Sequence, residues 1–146
     1  MNKDNLDWLD CSLFLMLASA EITDHYLTEE EINTIIEKAG GLAAQFSAIE
    51  AVYDRKAIIE KFNKAFEWYN YIGETAPQGK MNQLLMKEVF ELTAHMKGQS
   101  WFSKGFAQAL LNDLVTIADA DGEIIKNEQQ LINKVAEDWE LIQPFC

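Results

Sequence analysis

Apolar residues recur at helical spacing along most of the chain. Two series advance in steps of three and four residues, which places each series on one face of an amphipathic helix. Their members are Met81, Leu85, Val89, Leu92 and Met96 in the first, and Phe102, Phe106, Leu110, Leu114 and Ile117 in the second. No segment shows a sustained period of two bounded by turn residues, so the sequence offers no strands. The pattern predicts an all-α fold.

The same periodicity predicts about seven helices, and turn residues mark the breaks between them. The predicted helices cover 5–20, 29–39, 43–53, 56–72, 80–97, 101–118 and 127–141. Gly40 and Gly41 are expected to end the second helix, and GETAPQG is the one loop rich in Pro and Gly. Because no stretch is long enough to act as a linker, residues 1–146 are predicted to form one compact domain.

The fourth predicted helix carries aromatic residues on more than one face. Phe62, Phe66 and Tyr69 share one face and are expected to lie in the core. Trp68 and Tyr71 are turned away from that face. Either this helix is buried on two sides, which we favour, or Trp68 and Tyr71 form an exposed patch that binds a partner.

The composition excludes several classes of function. The chain has 24 acidic and 12 basic residues, for a net charge of -12, so nucleic acids and anionic lipid surfaces would repel it. Arg55 is the only arginine, and the chain has neither a glycine-rich phosphate loop nor a nucleophile motif. We therefore expect a protein that is not an enzyme and does not bind nucleic acid. The charge also opposes self-association, which predicts a monomer or a weak dimer.

The N-terminal region predicts a cytoplasmic protein without direct membrane insertion. Its apolar run, CSLFLMLASA, is too short to cross a bilayer. The residues before that run include Asp4, Asp7 and Asp10, where a signal peptide carries positive charge. Cys11 and Cys146 fit neither a disulfide framework nor a zinc pattern. Both are expected to remain thiols.

The segment ADADGEIIKNE, residues 118–128, resembles part of a calcium-binding loop. Asp119 and Asp121 match the third and fifth positions of an EF-hand loop, and Glu128 matches the closing glutamate. Ile117 takes the first ligand position, and an alkyl side chain cannot coordinate a cation, so a complete EF-hand is excluded. The three carboxylates, with the carbonyl of Glu123, predict a weaker or composite site for Ca²⁺ or another divalent cation.

An earlier segment, LASAEITDHYLTEEEI, repeats this arrangement in degenerate form. Glu31 aligns with Glu128, and Glu21 aligns with Asp121. If the two helix-loop-helix units pack face to face, Glu21 and Glu31 would complete the cation site with further oxygens.

The acidic residues also have a purely structural interpretation. Thr28 and Glu31 have the spacing of a capping box, and Glu128 is placed to reach back to the start of its own helix. Asp121 and Glu123 would then solvate a turn and favour the positive end of the following helix dipole. In this alternative the protein is an interaction scaffold that binds no metal.

The long apolar helix, the ADADGEI segment and the earlier LTEEEI segment together resemble the TerB family of tellurite-resistance proteins. The resemblance covers most of the chain. It implies a pseudo-symmetric domain of about seven helices that acts in tellurite resistance or wider chemical-stress responses. It further implies a cation-responsive or scaffold module, with protein partners that include membrane-associated ones and without established catalysis.

The resemblance also carries over a set of acidic positions. The family's acidic positions fall on Asp119, Asp121 and Glu128 in the second segment and on Glu21 and Glu31 in the first. The first segment departs from the family pattern, because Ser19 and Ile22 stand where an Asp and a Gly are expected. These departures argue against a second full cation site.

Overall fold

The computed structural model describes residues 3–21, 28–46, 54–119 and 124–145, and every regular element in these ranges is helical. A single 3-10 turn, Lys3–Asn5, precedes six α-helices. These are α1 (Trp8–Glu21), α2 (Glu29–Gln45), α3 (Arg55–Thr75), α4 (Met81–Lys97), α5 (Lys104–Ala118) and α6 (Lys126–Asp138). The predicted all-α class is confirmed, and the helices enclose one hydrophobic core.

Helix α1 lies at the centre of the bundle. All 14 of its residues are buried, including its polar ones, and it packs against each of the other five α-helices. Its sequence is apolar on every side, and a helix of this kind is stable in water only when other elements surround it. None of the described helices is both long enough and apolar enough to span a membrane.

Helix α2 runs through the glycine pair that was predicted to end it. Gly40 and Gly41 both lie within Glu29–Gln45, so the predicted break between 39 and 43 is wrong. Each glycine costs about 1 kcal/mol relative to alanine in a helix. Burial of Ala39, Leu42 and Ala43 on either side of the pair outweighs that cost. The predicted count of seven helices is therefore one too high for the described residues, and 47–53 lie outside them.

Side-chain caps begin α3 and α5, and one left-handed residue ends α6. The carboxylate of Asp54 accepts the N–H of Ala57 at 2.8 Å and begins α3. The hydroxyl of Ser103 accepts the N–H of Phe106 at 3.1 Å and begins α5 three residues later than predicted. Helix α6 ends earlier than predicted, because Glu140 adopts a φ of 59° and turns the chain away.

Helix α3 is buried on two sides, as we favoured. One side holds Phe62 and Tyr69, which are buried, and Phe66, which is half-buried. On the second side Trp68 is 5% exposed and stacks on Phe14 of α1, with ring centroids 3.9 Å apart. Tyr71 is 60% exposed. The alternative of a joint Trp68 and Tyr71 partner patch is wrong, because Trp68 belongs to the core.

A charged cluster joins the start of α1 to α3. The N–H of Asp10 donates to the carboxylate of Asp7 at 2.8 Å, and the N–H of Asp7 donates to that of Asp10 at 3.1 Å. Lys61 of α3 lies 2.9 Å from Asp7 and 3.2 Å from Asp10. Burial opposes the charge on Lys61, but hydrogen bonds and attraction from the two carboxylates outweigh it and raise the lysine pKa above 10.5.

The different burial of Trp68 and Tyr71 predicts different effects of truncation. Trp68→Ala should lower the free energy of unfolding by about 3 to 5 kcal/mol, because it removes a ring from the core. Tyr71→Ala should change it by less than about 0.5 kcal/mol, since the ring faces solvent. Urea unfolding of each variant measures both values. Equal losses in the two variants would contradict the packing of α3 on α1.

The charged cluster predicts a pH dependence in the alkaline range. Because folding raises the pKa of Lys61, its stabilising contribution is complete below pH 10.5 and disappears as pH rises through the folded-state pKa. Lys61→Met should therefore be less stable than the parent at neutral pH, and the difference should shrink at higher pH. Urea unfolding across the alkaline range measures this difference. Lys64→Met removes an exposed lysine from the same helix, and its free energy of unfolding should differ from that of the parent by a small amount that does not change with pH. A difference for Lys61→Met that does not change with pH would refute the coupling of Lys61 to the two carboxylates.

Candidate functional site

The acidic segment begins at the end of α5. Asp119 is the C-cap residue of that helix, and its N–H donates to the carbonyl of Val115 at 3.0 Å. Its carboxylate is exposed. Helix α5 thus ends at Ala118, where the sequence predicted. The carbonyl end of a helix carries partial negative charge, which favours a cation beside Asp119.

The segment closes at the start of α6, where Glu128 is the third residue of the helix. Its side chain is 4% exposed, and one carboxylate oxygen accepts the N–H of Ile125 at 3.1 Å. This contact is half of a capping box, since the isoleucine side chain has no acceptor for the return bond. The predicted structural role of Glu128 is confirmed.

Glu31 is likewise the third residue of its helix, α2, and it forms a complete capping box with Thr28. Its N–H donates to the hydroxyl of Thr28 at 3.1 Å, and its carboxylate accepts the N–H of Thr28 at 3.2 Å and the hydroxyl of Thr28 at 2.9 Å. Glu31 and Glu128 are thus both third residues that cap their own helices. The alignment of the two acidic segments holds at this position.

Glu21 is the last residue of α1 and is 1% exposed. Burial of a carboxylate is costly unless hydrogen bonds or opposite charge compensate it. Among the described residues of the two acidic segments, Glu21 and Glu128 are the two acidic residues that are almost completely buried. They lie on α1 and α6, which pack against each other.

The described residues supply only part of the predicted ligand set. Asp121 and Glu123 lie outside them. Among the residues that are described, no three His, Cys, Asp or Glu side chains lie close enough together to hold a metal ion. Ile117, at the first position of the calcium-loop pattern, is buried in the core. The ligand set therefore stays a prediction.

The donor types nevertheless fit a hard divalent cation. Ca²⁺ is bound in proteins by carboxylate and carbonyl oxygens. Asp119 provides an exposed carboxylate beside the last carbonyls of α5, and Glu128 provides a nearly buried carboxylate in the first turn of α6. The carboxylate of Glu31 accepts two bonds from Thr28, and both bonds serve the capping of α2.

The sequence interpretation missed a polar groove between α2 and α5. Its volume is about 530 Å³, and none of the predicted cation ligands lines it. It is lined by Glu37, Lys38, Gly41, Leu42, Gln45, Ala109, Asn112 and Asp113. Burial raises the pKa of Asp113, and attraction to Lys38 offsets part of that rise. The signal in the sequence is Gly41, which is predicted to end a helix and instead leaves a gap in the face of α2.

Comparison with known proteins identifies the family. Residues 12–141 match the family model described as tellurite resistance protein TerB. The match runs from α1 to beyond α6 and includes both acidic segments. No curated protein and no solved structure matches the chain. Because the family model covers far more than half of the sequence, the chain belongs to the TerB family.

Proposed function

We propose that this TerB-family domain binds a divalent cation, with Ca²⁺ as the first candidate, through the acidic segment between α5 and α6. The observation that carries the proposal is the placement of two carboxylates at the two ends of this segment. Asp119 closes α5, and the nearly buried Glu128 stands in the first turn of α6. The sequence adds Asp121 and the carbonyl of Glu123 between them.

A bound cation would link the two helices. If the acidic segment brings the carboxylates of Asp119, Asp121 and Glu128 together, they repel one another in the absence of a cation. A divalent ion removes this repulsion and ties the end of α5 to the start of α6. Since both helices pack on α1, cation binding would stabilise the bundle as a whole.

The family supports a wider role in tellurite resistance or another chemical-stress response. We infer that the domain acts in the cytoplasm by binding partner proteins, among them membrane-associated ones. We further infer that it catalyses no reaction. The net charge of -12 favours a monomer or a weak dimer and a partner surface that is basic.

A second candidate function is that of a scaffold that binds no metal. The observation in its favour is that Glu31 and Glu128 both cap helix starts. A cap alone accounts for about 1 kcal/mol of stability at such a position. In this alternative the acidic residues serve folding and solubility, and the partner recognises another surface.

Calcium should raise the thermal midpoint of the protein. With a dissociation constant of about 10⁻⁴ to 10⁻³ M, millimolar Ca²⁺ would stabilise the fold by roughly 0.4 to 1.4 kcal/mol. Glu128→Gln should abolish this shift and modestly stabilise the metal-free protein, because it removes one repelling charge and keeps the oxygen that caps Ile125. Differential scanning calorimetry with and without Ca²⁺ measures both effects.

Asp54→Asn is the matched control for Glu128→Gln. It also removes one carboxylate charge and keeps a capping oxygen, but it does so at the start of α3. Its calcium shift should equal that of the parent. If Ca²⁺ and Mg²⁺ leave the melting curve of the parent unmoved, the scaffold alternative is correct.

A further inference from the structure

We propose that the groove between α2 and α5 docks an extended segment of a partner protein, which places a basic side chain between Glu37 and Asp113. This groove is independent of the cation proposal, because it contains none of the predicted metal ligands. It is called the α2–α5 groove below.

The size of the groove suits a short stretch of extended peptide. Its lining on α2 runs from Glu37 to Gln45, and eight helical steps of 1.5 Å cover about 12 Å. An extended chain advances about 3.3 Å per residue, so about four residues fit along this length. The volume of about 530 Å³ lies within the usual range of ligand sites.

The floor of the groove is made of small or apolar residues. Leu42 is buried, and Ala109 is half-buried against the core. Gly41 leaves a gap, since a Cβ atom added there would meet nothing within 4 Å. A peptide backbone can therefore approach α2 closely at this position.

The charges on the rim favour a basic side chain. Glu37 and Asp113 contribute two carboxylates against the single amine of Lys38. Within the described part of the chain, Asp113 accepts no hydrogen bond and has no ion pair within 4 Å. Burial raises its pKa, so a cation that enters the groove stabilises the ionised form. A guanidinium is the best match, because it can donate two bonds to one carboxylate.

Two side-chain amides on the rim of the groove favour a peptide as the ligand that contains the basic side chain. Gln45 and Asn112 each combine a donor and an acceptor in one side chain, as a peptide backbone does. The oxygen of Asn112 accepts a bond from Gln108 at 3.0 Å, and its NH₂ group can donate to an acceptor on the peptide. Nucleic acid and anionic lipid are excluded as occupants by the net charge of -12.

A titration followed by amide NMR tests the proposal with a defined probe. The ¹⁵N-labelled protein is titrated with acetyl-Ala-Ala-Arg-Ala-Ala-amide and, separately, with the same peptide carrying citrulline in place of arginine. The arginine peptide should shift the amide signals of Gly41 and Asn112 most, and the citrulline peptide should bind about tenfold more weakly, as expected for the loss of one charge-assisted pair.

Three variants separate a groove effect from a general charge effect. Asp113→Asn should weaken binding of the arginine peptide about tenfold. Glu67→Gln, which removes one exposed carboxylate from α3, should change it by less than about twofold. Gly41→Met keeps every charge and fills the gap in the floor without a clash at its Cβ atom, so it should abolish the shifts at Asn112 and still fold, since methionine is the better helix former.

Several results would overturn the proposal. Equal binding of the citrulline peptide would show that charge is not recognised. Equal losses in Glu67→Gln and Asp113→Asn would indicate attraction to the whole acidic surface. If arginine amide binds as tightly as the peptide, the groove takes a small cation rather than a protein segment. Unchanged binding in Gly41→Met would place the peptide elsewhere.

Discussion

The complete burial of α1 is the constraint on which the rest of the structure depends. A helix that is apolar on all sides has no stable place at a surface, so the other five helices must together cover it. The contacts that fix its start are ionic, through Lys61, Asp7 and Asp10. Its far end is the nearly buried Glu21, from which the first acidic segment continues. The buried helix thus ends where the first acidic segment continues, and the second acidic segment joins two of the helices that cover it.

The two proposed activities use different parts of this bundle and share α5. Asp119 ends α5 beside the acidic segment, whereas Asp113 lies about one and two-thirds turns earlier, on the side that faces α2. A cation would act on the link between α5 and α6, and a partner segment would act on the link between α2 and α5. Because α5 packs on α1 as well, each of the proposed ligands would stabilise the same folded core, and neither would require the other.

The spacing of apolar and capping residues predicted the parts of the structure that depend on residues close together in the sequence. The stripes of α4 and α5, the capping box of Thr28 and Glu31, and the end of α5 follow from spacing alone. The continuous α2 did not, because packing of Leu42 and Ala43 against the core outweighs the local cost of two glycines. The groove could not be predicted from the sequence, because it forms between α2 and α5, which are far apart in the sequence and pack together only in the folded protein. The predicted cation ligands need contacts between distant segments, and spacing does not determine those.

Hydrogen exchange along α1 tests the central role of this helix most directly. The amides of residues 14–18, which are enclosed on all sides, should exchange only when the whole protein unfolds. Their opening free energies should therefore equal the free energy of unfolding measured in urea under the same conditions. Faster exchange in α1 than in α4 or α6 would show that the bundle does not depend on the central helix and would contradict the account.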